Sequence, residues 1–215
     1  IKTFLKLTHS TFTDCTSSGS GGGFYFTECK PSNGSSLHNV TMNGGRAEAM
    51  GGGIYAKSSH DMNVSMSHIT SNWASNGSGI ALDNDNVRFS LLNSTVEGNS
   101  ASYHGGGLFL GEKNIDLLIS GSALKDNKAG SAGGGLLAVT ENDGIHLVYA
   151  TFKSNRAPMG GGMALLNSVT RLQVNASYFT SNNASETHGG SIYLGSNITG
   201  FSIGFNDVNS TAAIS

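Results

Sequence analysis

Six of the chain's 14 carboxylates recur in one kind of place, a few residues beyond a short apolar segment: Asp83 and Asp85, Glu112 and Asp116, Glu141 and Asp143. Carboxylates about 5 to 9 Å apart can share the acid and nucleophile or base roles of glycoside cleavage. A denser set of oxygens can hold Ca²⁺. A lyase-like site also needs a cation beside the acids, and Arg88 and Lys113 are the nearest. The same stretches contain Asn84, Asn86, Asn114 and Asn142, and Asp, Asn and Gly are the residues that turns select. The turn reading is preferred, with no enzymatic role expected. A polysaccharide lyase or hydrolase is the alternative.

Other reactive side chains are sparser. The seven histidines form no spaced set, and His104 and His188 share a place before glycine runs but lie three repeats apart, too far to share a metal. No metal or cofactor is expected. Cys15 and Cys29 are 14 residues apart. They would form a disulfide in an oxidising compartment or pack as two small residues, and the disulfide is slightly preferred. Asparagines opening Asn-x-Ser/Thr are more telling: Asn33, Asn39, Asn63, Asn76, Asn93, Asn175, Asn183, Asn197 and Asn209, nine in all. Such sequons mark N-glycan acceptors on secreted proteins.

These residues are set out by a repeat. Glycine runs end at Gly23, Gly53, Gly79, Gly107, Gly135 and Gly162, with Ser191 as the seventh member, so successive intervals are 30, 26, 28, 28, 27 and 29 residues. A period of about 28 residues means stacked supersecondary units, none able to bury its apolar face alone. After each run, apolar residues alternate with outward ones, as in Leu108-Phe109-Leu110, which predicts a short strand. The outward set of Tyr25, Tyr55, Ala81, Phe109, Leu137, Ala164 and Tyr193 forms an apolar stripe. It reads either as cross-strand packing on an exposed sheet or as an interface for a partner subunit or sugar rings, with Tyr25, Tyr55, Phe109 and Tyr193 in contact.

A six-residue turn, Gly111 to Asp116, leads to a second strand with Leu117 and Ile119 inward. There the alternation slips by one at a small residue such as Ser94 or Ser122, predicting a bend before a third strand. An asparagine column follows, Asn72, Asn99, Asn127, Asn155 and Asn182, with an alanine two residues later. Asn tolerates left-handed backbone, and its amide can bond the equivalent amide one coil away. None of these five opens a sequon, so the sequons avoid the positions expected to be buried. The fold class expected is therefore all-β, a parallel β-helix of about seven coils with three strands per coil.

The alternation of apolar-x-x-Asn-x-Ala, as at Phe152 to Ala157 and Phe179 to Ala184, with Gly-Gly-Gly-apolar resembles right-handed parallel β-helix proteins. It is especially similar to the repeats of polymorphic outer-membrane proteins, from which it departs by a third Gly in place of Ala. The resemblance covers nearly the whole chain. It implies a right-handed coil and a surface-exposed structural or adhesive role, while the shared architecture of pectin lyases implies the enzymatic alternative.

Composition agrees. A net charge of −2 leaves no basic footprint for nucleic acid, and no apolar run approaches a membrane span. The whole chain is expected to form one β-helix domain. It is read as a segment of a longer chain or an end-to-end stacked subunit, because Leu5, Leu7 and Phe12 open the first coil in register and Phe201, Ile203 and Val208 begin an eighth. The expected role is a secreted glycoprotein of the extracellular surface, the building block of a filament. Its partners would be copies of itself or neighbouring subunits, its covalent glycans, and carbohydrate.

Overall fold

The computed structural model describes residues 5–29 and 34–204. Its described residues form a solenoid of three parallel sheets and include no helix. The strands that follow the glycine runs, Phe24–Thr27, Ile54–Lys57, Ile80–Asn84, Leu108–Glu112, Leu136–Thr140, Met163–Asn167 and Ile192–Ser196, stack in register as the glycine sheet. A 13-stranded sheet takes the second and third strands of each coil, and a seven-stranded sheet runs through the alanine column from Thr16–Ser17 to Asn183–His188. The expected bend between second and third strands is present, but as a kink within one sheet. In the first two coils both strands are one unbroken element, Lys6–Thr13 and Ser35–Asn43. An eighth coil begins with Ser202–Gly204 on the strand before it.

Inward positions of every coil feed one core. Ile80, Leu108, Leu136 and Met163 from the glycine sheet meet Leu91, Ile119, Leu147 and Val174 from the large sheet, all fully buried. Each such side chain contributes roughly 1.5–3 kcal/mol, so no coil can stand without its neighbours. Phe152 lies flat on Phe179, ring centroids 4.6 Å apart.

Every corner is made by left-handed backbone. Among the described residues, positive φ occurs at 22 non-glycine residues, with φ between 47° and 57°, and at 13 glycines; together they fall into five columns of seven. One is the first glycine of each run. The next two bracket the link between the first two strands and include Lys113 and Asp116. The fourth is the kink, Asn39, Asn93, Tyr149 and Ala176 among them, and the fifth precedes the asparagine column. Left-handed backbone therefore belongs to Ser71, Gly98, Asp126, Ser154 and Ser181, each one residue before the asparagine expected to supply it. The six-residue turn also shrinks, because strand pairing continues to Glu112 and resumes at Ile115. Two sharp left-handed corners do the work of one long loop.

The buried asparagine and serine columns are satisfied along the axis. In the expected column, the Asn127 Nδ2 donates to Asn155 Oδ1 at 3.0 Å and to Val96 O at 3.0 Å, while its Oδ1 accepts from Asn99 Nδ2 at 2.9 Å and Asn99 N at 3.1 Å. The pattern holds from Asn72 to Asn182. A second amide ladder joins Asn86, Asn114 and Asn142, at 2.9 and 3.0 Å. At the kink, the Ser94 and Ser122 hydroxyls accept from the backbone N–H one coil earlier, both at 3.0 Å.

The aromatic stripe is not wet. Tyr55 and Phe109 are only 5% and 6% exposed, and Ala81, Leu137 and Ala164 are fully buried. The chain entering each glycine run folds back over them, so that Met50, Ala132 and Met159 pack on the outer face of the sheet. A Cβ on Gly105 would stand 2.8 Å from that of Phe109, which is why that close turn needs glycine. Of the four expected interface residues only Tyr25 is exposed, at 57%, stacked 4.9 Å from Tyr55; Tyr193 is half-buried.

Candidate functional site

The six candidate acids do not share one row. Asp83 lies on the outer face of the glycine sheet, where Tyr55 Oη donates to it at 2.7 Å and Lys57 Nζ stands 3.4 Å away. Burial, and then that hydrogen bond, push the Tyr55 phenol well above its ordinary range. Asp85 and Glu141 occupy one left-handed column with Lys113 between them, and Lys113 lies 3.9 Å from Glu141. Glu112 ends its strand, exposed. Asp116 shares the next column with Asp61, Arg88 and Arg171.

Arginine ties that corner into two sets of ion pairs. Arg88 Nε and Nη2 donate to Asp61 at 2.6 and 2.8 Å. Arg171 clasps Asp143 through Nε at 2.6 Å and a second nitrogen, and reaches Asp116 at 3.2 Å. These hydrogen bonds hold Asp61 and Asp143 below the usual carboxylate range. An acid for glycoside cleavage is tuned the other way, by burial without a cation. Arg88, one of the two cations considered for a lyase-like site, is a bidentate partner of Asp61, which is not among the six candidate acids.

A polar groove lies elsewhere, on the outer face of the large sheet in the first coils. It has a volume of about 510 Å³ and is lined by Lys6, Thr8, His38, Asp61, Asn63 and Ser65 among others. His38 Nδ1 and Ser65 Oγ are 3.1 Å apart. The Asn63 Oδ1 is buried with no hydrogen-bond partner. None of the six candidate acids lines this groove.

Among the seven sequon asparagines within the described residues, Asn39, Asn93, Asn175, Asn183 and Asn197 are exposed and Asn63 and Asn76 are half-buried. Asn33 and Asn209 lie outside the described residues, as does Val208. Asn39 and Asn93 take the left-handed kink position, where a side chain points away from the core. Cys15 and Cys29 are free thiols, contrary to the disulfide expected. They sit at corners on either side of the strand Phe24–Thr27, whose four residues span roughly 13 Å, well beyond the ~7 Å that a disulfide bridges. Each thiol points to the carbonyl two residues back, Thr13 O at 3.7 Å and Thr27 O at 3.6 Å. Among the described residues no three His, Cys, Asp or Glu side chains are placed to hold a metal.

The repeat also carries a family signature: the description "right handed beta helix region" matches residues 4–152, most of the 215. The chain belongs to the right-handed β-helix family. Residues beyond the match continue the same columns, with Met163–Asn167 and Ile192–Ser196 still in register on Leu136–Thr140. No curated protein and no solved structure matches the chain. Within the right-handed β-helix, the ladder Asn86–Asn114–Asn142 escapes a reading of single turns, though its spacing of 28 residues in both steps marks it. The covering of the aromatic stripe has no such mark, because the segment before each glycine run varies in length.

Proposed function

We propose that this β-helix is a rigid, secreted module with a structural or adhesive role, carrying N-glycans on its corners and faces. The observation that carries the reading is the sorting of asparagines. All eight amides of the two axial ladders are buried, while five of the seven sequon asparagines within the described residues are exposed. Many side chains suited to chemistry are spent on stacking: ladder amides on amides, Arg88 and Arg171 on neighbouring aspartates. A finer reading is assembly into a filament or surface appendage, since an interface made by one coil repeats at the coil spacing of about 4.8 Å. Intact-mass and peptide mass spectrometry of native material is the test. Glycan on Asn39 and Asn93 is expected, and finding every exposed sequon bare would refute secretion through a glycosylating route. Light scattering that finds only monomer at high concentration would remove the filament.

The groove favours a second reading, carbohydrate binding or cleavage. Its volume is in the range of small-ligand sites, and Lys6, His38, Asp61 and Asn63 offer both donors and acceptors to hydroxyl groups. Asp61, kept ionised by Arg88, could serve there as base or nucleophile and not as the acid, so Asp61→Asn should abolish any polysaccharide cleavage found by a reducing-end assay; unchanged cleavage would exclude the groove.

A further inference from the structure

Among the described residues, charges paired along the axis are opposite in sign, except in one place. Asp61 faces Arg88, Lys113 faces Glu141 and Glu97 faces Lys125. In the fifth and sixth coils, however, Lys125 pairs in register with Lys153, and Lys128 with Arg156. Like charges directly opposite on neighbouring strands are unfavourable. Here two such pairs flank one corner, drawing on four of the chain's 12 Lys and Arg residues. Lys125 is answered by Glu97 at 3.0 Å, and Asp126 is the carboxylate at the corner itself. Between the pairs runs a shallow cleft of about 170 Å³ lined by Asp126, Asn127, Lys128, Ser154 and Arg156. The outward column of Lys128 and Arg156 continues through Ser100 to Trp73 and Arg46, where the Arg46 guanidinium lies 4.1 Å over the Trp73 ring.

The geometry points to a binding site for a linear sulfated polysaccharide, laid along the solenoid axis from Arg156 and Lys128 toward Trp73 and Arg46. This rests on the extracellular reading, which favours a sulfated glycan over other polyanions. Sulfates supply fixed negative charge at the spacing-tolerant contacts that lysine makes, and forked acceptors for arginine. At the far end, the Trp73 ring holds the Arg46 guanidinium in place for a sulfate. The exposed sequon at Asn183 sits one coil beyond Arg156 in the same column, so a glycan there would bound the site on that side and leave the run toward Arg46 open.

The test uses unglycosylated recombinant chain and heparin oligosaccharides, with chemically desulfated heparin and a single-stranded oligonucleotide as competitors. At about 0.15 M salt, Lys128→Ser/Arg156→Ser should weaken heparin binding at least tenfold and lower the slope of log affinity against log salt by about two. Lys57→Ser/Lys113→Ser removes the same net charge elsewhere and should leave binding unchanged. Matching circular dichroism and melting temperatures establish that both variants fold. Equal losses in the two double variants, or no heparin binding by the parent chain at 0.05 M salt, overturn the site. Desulfated heparin or the oligonucleotide competing as well as heparin overturns the sulfated ligand. Because the protein carries no glycan, these outcomes are independent of whether native material is glycosylated.

Discussion

Replacing Asn127 by Leu removes the middle rung of the longer amide ladder. Four hydrogen bonds disappear, two accepted by Oδ1 and two donated by Nδ2. The groups left behind differ in what remains to them. Asn99 Nδ2 keeps Ile69 O at 3.0 Å, and Asn155 Oδ1 keeps the Asn127 backbone N–H at 3.1 Å. The Asn99 N–H loses the acceptor it has in this ladder, in a fully buried place. Four bonds at about 1 kcal/mol each, with one orphaned donor partly offset by the added apolar surface, give a loss of about 3–5 kcal/mol. For a chain of this size that is a fall in melting temperature of roughly 6–20 °C. Thermal and urea unfolding followed by circular dichroism measure it, with exposed Lys128→Ser as the reference. Asn127→Asp sharpens the test: its carboxylate keeps both acceptor roles but turns a lone pair toward Asn155 Oδ1 and Val96 O. Burial raises the folded pKa of such an acid above its unfolded value. The variant should therefore gain stability as pH falls through that raised value, opposite to the parent. A melting temperature for Asn127→Leu equal to that of the parent would refute the ladder as a source of stability.

Other expectations follow from single columns. A Cβ on Gly107 would stand 2.6 Å from the Gly135 carbonyl oxygen, so Gly107→Ala should cost more than about 2 kcal/mol in urea unfolding. Ala176 adopts φ 47°, and Ala176→Gly should raise stability by about 0.5–1 kcal/mol, since relief of the left-handed Cβ outweighs the added freedom of the unfolded chain. Asp143 is held below its ordinary 3.8 by Arg171. Its contribution is complete above that value and is lost as pH falls through the depressed folded value, so Asp143→Asn should flatten the acid limb of stability below about pH 4. Burial lowers the His104 pKa below 6.5; stability should thus be full above that pH and decline as pH falls through it, and His104→Gln should remove that part of the slope.

Much of this architecture is legible in the sequence because a solenoid repeats its instructions. The glycine runs, the apolar alternation and the Asn72-to-Asn182 column each recur about seven times or along five coils, and one reading serves all. What escaped depends on contacts between columns. Nothing in Tyr55 or Phe109 says that Met50 and Ala132 will lie over them. Asp116 and Arg171 are two coils apart and meet only because their column shares a corner. The left-handed positions lie one residue before the asparagines: Asn is a favoured residue there, yet the structure places it where its amide can reach along the axis and assigns the strain to the Ser, Asp or Gly before it.

The hydrogen bonds of all three sheets, and the amide ladders beside them, point from coil to coil. A load applied along the axis therefore does not shear many bonds at once; it opens them like a zipper, one coil before the next. Each coil of about 28 residues would pay out roughly 90–100 Å of chain when it yields. Such a rod is stiff in compression and bending, where close-packed coils press on one another, and in tension it is a shock absorber that lengthens in equal steps at nearly constant force.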